Sequence, residues 1–134
     1  TSPLDTPDGD ADWARGPAPG RAMLDAPVVN GGNGDDGFLV DHVGLGFAVL
    51  CFADRAADLP ALPADAAGLM AGQAGAPPRG WTVLSDRDGL LHQRYDGRPG
   101  TTYLIRPDRY VAARWRTPDG AALAAALRRA TATD

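Results

Sequence analysis

The sequence predicts an α/β domain with a mixed central sheet of about four strands, a C-terminal β-hairpin, flanking helices and an irregular N-terminal extension. Three observations carry this expectation. The unbroken apolar run Phe47–Phe52, preceded by Gly44 and Gly46 and followed by Ala53-Asp54, has the pattern of a strand buried on both faces. Two strand-like runs flank Arg106-Pro107-Asp108-Arg109, in which Pro107 presets φ at the second turn position and Asp108 suits the third, giving a type I turn. Between Phe52 and a further strand at residues 81–84 lies room for a helical crossover, which joins parallel strands in a right-handed sense.

Taken in order, residues 1–37 are rich in Pro, Gly and Asp, and their apolar residues are too sparse for a regular element. They read as an acidic extension or linker ahead of a folded domain at 38–134. After the 46–52 strand, the Ala-rich stretch predicts a short helix over 64–71, and Gly72 to Gly80 reads as loop. Trp81-Thr-Val-Leu84 is the next strand, with Trp81 and Val83 on one face. Leu90–Tyr95 reads as a short helical turn that packs Leu91 and Tyr95 and closes at Gly97. In the hairpin, Tyr103 and Ile105 share a face. Val111, Ala113 and Trp115 point inward, while Tyr110, Ala112, Arg114 and Arg116 point out. Thr117 would then cap a helix over 118–130 that buries Leu123, Ala126, Leu127 and Ala130, with Arg128 and Arg129 at its C-terminal end.

Composition narrows the function. All 13 basic residues are Arg and all 17 acidic ones are Asp, so exposed helix positions rely on Ala, Leu and Arg. Residues 1–41 hold eight Asp against two Arg, and residues 42–134 nine Asp against eleven Arg. The acidic head argues against nucleic acid or an anionic membrane as partner. No apolar run approaches the ~20 residues that span a bilayer, and no signal peptide is evident. One cysteine excludes an internal disulfide and suits the cytoplasm. The chain opens on Thr1, which suggests processing or an excised fragment.

Motifs that could carry chemistry fail on context. Gly32-Asn-Gly-Asp-Asp-Gly37 matches the dinucleotide-binding pattern but runs into Phe38-Leu-Val40 rather than a helix, and Asp35 and Asp36 would repel a pyrophosphate. Asp8-Gly-Asp-Ala-Asp12 opens like a calcium loop, yet Trp13 and Pro19 stand where Gly and Glu belong. His42, Cys51 and His92 are too scattered for zinc, and neither Ser2 nor Ser85 sits in a nucleophile elbow. No catalytic, cofactor-binding or metal-ligating residue is therefore assigned in this chain.

The run Gln93-Arg-Tyr-Asp-Gly-Arg-Pro-Gly-Thr-Thr-Tyr-Leu-Ile-Arg-Pro-Asp-Arg-Tyr-Val-Ala-Ala-Arg-Trp115, with Gly16-Pro-Ala-Pro-Gly-Arg-Ala22 and Gly44-Leu-Gly-Phe-Ala-Val-Leu50 upstream of it, resembles the last segment of class A FAD-dependent aromatic hydroxylases. It is closest to the 3-(3-hydroxyphenyl)propionate hydroxylase type, with phenol hydroxylase-like monooxygenases as kin. The resemblance implies a thioredoxin-like fold without thioredoxin chemistry. It also implies a parent enzyme that reduces FAD with NAD(P)H and hydroxylates phenolic rings with O2. FAD and NAD(P)H belong to that parent and not to this chain. The implied partner is the flavin-binding domain of the same polypeptide, with association into a homo-oligomer as a further expectation.

A working thioredoxin would follow the 46–52 strand with Cys-x-x-Cys, whereas Ala53-Asp-Arg-Ala-Ala-Asp58 stands there and Cys51 lies within the strand. A buried thiol of this kind should be inert. The competing reading is a stand-alone redox protein using Cys51, and another is a free-standing binding module. Arg106, Arg109, Arg114 and Arg116 form a basic stripe on the hairpin, either a solvated strand face pairing with Asp or a contact for an acidic partner surface. Tyr110 is the candidate interface anchor beside them.

Overall fold

A computed structural model describes residues 5, 6, 8, 12–32, 34–72, 77–117 and 119–131. Seven strands form one mixed sheet: β1 (Pro27–Asn30), β2 (Asp36–Phe38), β3 (Phe47–Phe52), β4 (Ala66–Ala71), β5 (Trp81–Ser85), β6 (Thr102–Ile105) and β7 (Val111–Trp115). Their order is β2-β1-β5-β4-β3-β6-β7. The expected α/β class and mixed sheet are present, with three strands beyond the four anticipated.

Strand β3 shows why the sheet is buried on both sides. Ala48, Leu50 and Phe52 join one apolar cluster with Tyr95, Tyr103 and Ile105, while Val49 and Cys51 join a second with Met70, Leu104 and Leu123. Alternation sends successive side chains to opposite faces, so a strand apolar at every position needs cover on each. Helices α1 (Val40–Val43) and α2 (Leu90–Tyr95) cover the first cluster, and α3 (Gly120–Thr131) covers the second. The four residues that α3 buries, Leu123, Ala126, Leu127 and Ala130, are those the periodicity names.

Residues 66–71 correct the helix expected over 64–71: they form β4, parallel to β3 on one side and to β5 on the other. Alanine favours helix, but a helix this short is marginal in water, and two ladders plus burial of Leu69, Met70 and Ala71 outweigh its propensity. Small residues also fit the place. Gly68 pairs with Trp81, and a Cβ at residue 68 would overlap the indole ring. Strands 47–52 and 81–85 are thus parallel, as expected, but β4 lies between them.

The segment expected to be irregular over 1–37 also contributes strands. Pro27–Asn30 pairs antiparallel with Asp36–Phe38 and with β5, and Val28 is fully buried. The turn between them is closed by Gly34 N–H on Asn30 O at 2.7 Å and Asn30 N–H on Asp35 O at 2.9 Å. Two valines among glycines and aspartates are a faint strand signal, and the pairing partner supplies the rest.

The hairpin forms as read, with a correction to its faces. Arg109 N–H bonds Arg106 O at 2.9 Å, and Arg109 takes φ 71°, so a type I turn is followed by a left-handed residue. The register then slips, with Ile105 opposite Val111 but Leu104 opposite Ala113. This bulge puts Ala112 and Ala113 against the same cluster and turns Arg114 onto the face of Tyr103. Arg114 is 9% exposed rather than solvated, because the N-terminal segment crosses over it.

Helices α2 and α3 each begin on an Asp side chain. Asp86 accepts the N–H groups of Leu91 and His92 at 3.0 and 2.8 Å, and Asp119 those of Ala121 and Ala122 at 3.0 and 3.1 Å, the role expected of Thr117. At the end of α2 it is Asp96, φ 50°, that turns left-handed, ahead of the expected Gly97.

Candidate functional site

Where β3 ends, the chain bends through Ala53–Asp58 beneath the loop 98–101. Gly100 N–H bonds Phe52 O at 2.7 Å and Phe52 N–H bonds Thr101 O at 2.8 Å. A cleft of about 420 Å³ opens here between Ala53, Asp54, Arg55 and Asp58 on one wall and Pro99 and Gly100 on the other. This is the place where a thioredoxin-like fold would carry its thiols. Its charged groups are instead tied to each other: Arg55 Nε and Nη2 meet Asp58 Oδ2 and Oδ1 at 3.1 and 3.0 Å. Among the described residues, none that lines the cleft carries a thiol or a hydroxyl.

Cys51 lies behind it, fully buried, with Thr102 Oγ1 3.5 Å from Sγ. Burial pushes the thiol upward from its ordinary value, and the hydrogen bond from Thr102 offsets only part of that. Thiolate is the reactive form, so this sulfur is poorly suited to exchange. His92 reaches the cleft's edge, but its Nδ1 is held 2.6 Å from Asp86 Oδ2 and its ring packs edge-on to Phe52 at 4.9 Å.

The arginine stripe is occupied from within. Arg106 Nη1 reaches Asp5 at 3.1 Å, and Arg114 Nη2 reaches Asp8 at 2.7 Å. Arg116 pairs with Asp96 and donates to Asp12 O at 3.1 Å and Thr101 Oγ1 at 2.9 Å. Trp13 is wedged among these groups, with the guanidinium carbons of Arg114 and Arg116 at 4.1 and 3.9 Å from its ring centre. Its edge meets Tyr103 at 5.7 Å, and Tyr103 donates to Tyr95 O at 2.6 Å. Backbone bonds run alongside: Thr6 to Ala112 O, Gly20 to Val111 O and Met23 to Arg109 O, each 2.8 Å. The acidic head is thus a strap along β7, satisfying an edge strand that would otherwise stand open.

The side chains of Arg109 and Tyr110 stand apart from this clamp. Arg109 touches Gly44 O at 3.4 Å and its Nε is buried without a partner, while Tyr110 is 45% exposed. The sequence reading missed Asp5, Asp8 and Asp96 as the partners of the stripe. The signal was present in the contrast between an acidic first third and a basic remainder.

The glycine-rich stretch does not form a strand-to-helix pyrophosphate loop: it is the β1–β2 hairpin turn with Asp36 in β2, so no helix N-terminus faces a pyrophosphate there. Among the described residues no group of three His, Cys or Asp side chains gathers to hold a metal ion, and no helix is long and apolar enough to cross a membrane.

Solved structures share this fold. A peroxiredoxin-like protein from Aquifex aeolicus matches at TM-score 0.63 and 11% identity over 87% of this chain and 90% of that one. Aklavinone-11 hydroxylase, solved with FAD and aklavinone, matches at TM-score 0.64 and 22% identity over 97% of this chain but 25% of its own. The flavin-dependent monooxygenase PieE, solved with FAD and substrate, matches at TM-score 0.56 and 22% identity over 85% of this chain and 21% of its own. The architecture is thioredoxin-like, and the chain spans about a quarter of each of these two flavoenzymes. No curated protein matches it. Residues 21–130, which take in the whole sheet, match the family described as the HcaD C-terminal domain, and the chain belongs to that family.

Proposed function

We propose that this chain is the C-terminal, non-catalytic packing domain of an FAD-dependent aromatic-ring monooxygenase of the 3-(3-hydroxyphenyl)propionate hydroxylase or phenol hydroxylase type. In this reading the flavin-binding body of the same polypeptide holds FAD, takes electrons from NAD(P)H and hydroxylates a phenolic ring with O2 in the cytoplasm. The domain contributes shape: it packs on that body or helps to join two copies of it.

The observation that carries this is the cleft at the end of β3. The fold's usual thiol position holds Ala53–Asp58 with its Arg55–Asp58 ion pair, and the sulfur of Cys51 is sealed in the strand. A stand-alone redox protein needs an accessible thiolate, which this arrangement disfavours. Recurrence of the fold as about one quarter of two FAD-bound enzymes, together with the family match, supports the attachment to a flavoprotein. Reading the coding sequence on the 5′ side tests it. A flavin-binding domain in frame with Thr1 is expected, and a start codon immediately before Thr1 would contradict it.

A further inference from the structure

Of the chain's arginines, those at 55, 87, 106, 114 and 116 each meet an Asp within ion-pair distance. Three that do not, Arg15, Arg21 and Arg94, line a single open groove of about 730 Å³ between the Gly16–Ala22 segment and α2. Pro17, Ala22 and Leu24 give it apolar surface beside Gly16, Ala18 and Gln93, and among the described residues no acidic one lines it. Leu24 is 41% exposed there. In a chain with net charge −4, a groove holding three unpaired guanidiniums is electrostatically set apart.

The groove is also rigidly built. Asp96 accepts the N–H groups of Ala14 and Arg15 at 2.8 and 3.4 Å, and Val111 N–H bonds Arg21 O at 2.8 Å, which fixes both ends of the segment. Gly16 takes φ 90° and lies so close to the Tyr103 hydroxyl that no side chain fits. Arg94 is aimed by its Nη1 bond to Asp25 O at 2.6 Å. The nearby carboxylate of Asp25 is turned to the N–H groups of Ala26 and Val40 at 3.0 and 2.9 Å and makes no ion pair with Arg94.

We infer that this groove is the docking site for an acidic peptide segment carrying an apolar side chain, and, resting on the function proposed above, that the segment belongs to the flavin-binding body. Arginine forks recognise carboxylates with two parallel hydrogen bonds, and the apolar patch around Leu24 accepts a side chain between them. Arg106, Arg114 and Arg116 of the hairpin, held by the strap, are not required for it.

The test is an NMR titration of the 15N-labelled chain with a short synthetic peptide of alternating Asp and Leu, against the same peptide with Asn for Asp. The acidic peptide should shift the amides of residues 15–24, Pro17 and Pro19 apart, and of 93–94, and the Asn peptide should not. Arg21→Ala and Arg94→Ala should each weaken binding by about tenfold. Arg55→Ala should leave it unchanged. All three side chains are exposed, and a thermal melt confirms that the variants fold. Equal binding of the Asn peptide, the same shifts from inorganic phosphate at equal concentration, or shifts centred on Arg106 and Arg114 would overturn the inference. Should the acidic peptide fail to bind while a flavin-binding domain is found in frame, the groove assignment falls alone. Should it bind with no such domain encoded, the assignment to a flavoprotein falls and the groove stands.

Discussion

Arg114 and Asp8, 106 residues apart, meet in a two-pronged ion pair: Nη2 to Oδ2 at 2.7 Å and Nε to Oδ1 at 3.0 Å. Arg114 is 6% exposed at its side chain and Asp8 26%, so the cation is the more deeply desolvated partner. Removing one member of a buried pair leaves the other stranded. Arg114→Ala should lower stability by about 3 kcal/mol, because packing on Trp13 goes with the charge. Asp8→Asn, which leaves the desolvated guanidinium with only a neutral acceptor, should cost about 2 kcal/mol. Urea denaturation gives both values. Hydrogen exchange should show lost protection at Thr6, whose N–H holds the strap to Ala112.

Gly68→Ala should destabilise the domain by about 2 kcal/mol, since the new methyl enters the space of the Trp81 indole. Strand β4 is central and parallel on both sides, so the backbone has little freedom to yield. Urea midpoints of G68A, W81L and the double variant check this. The double variant should lose less than the sum of the two singles, because the smaller Leu vacates the clash.

The same pair explains what the sequence did and did not disclose. Strands β3, β5, β6 and β7 and the buried face of α3 were legible, since each has apolar residues at the period of its own element. Strand β4 was not, because alanine and glycine are there to make room for Trp81 and carry no period of their own. Arg114 was misplaced for a different reason. Alternation located its face correctly only up to the bulge at Leu104/Ile105, and no local pattern reveals that a segment a hundred residues earlier covers it. At the cleft, the replacement of a thiol pair by Ala53–Asp58 was legible outright. The groove of Arg15, Arg21 and Arg94 was not, for its two walls come from distant segments.

Acid should loosen α2 before it unfolds the sheet. Burial raises the Asp86 carboxyl, but the N–H and ring of His92 and the N–H of Leu91 outweigh it and hold the group below its ordinary value. A folded-state value below the unfolded one means that Asp86 adds stability above about pH 4, and that this is lost as pH falls through the folded value. Urea midpoints measured from pH 7 down to pH 2 should therefore decline below about pH 4. Asp86→Asn should be less stable at pH 7 by about 1 kcal/mol and show a shallower decline. An unchanged slope would contradict this assignment.

The account holds that the fold acts through its surfaces and that its one thiol is structural, and native-state thiol labelling tests this most directly. With Ellman's reagent at pH 8, folded protein should release thionitrobenzoate only at the rate of global opening, and the full one equivalent should appear at once in 8 M urea. Rapid, stoichiometric reaction of Cys51 in the folded protein would contradict it.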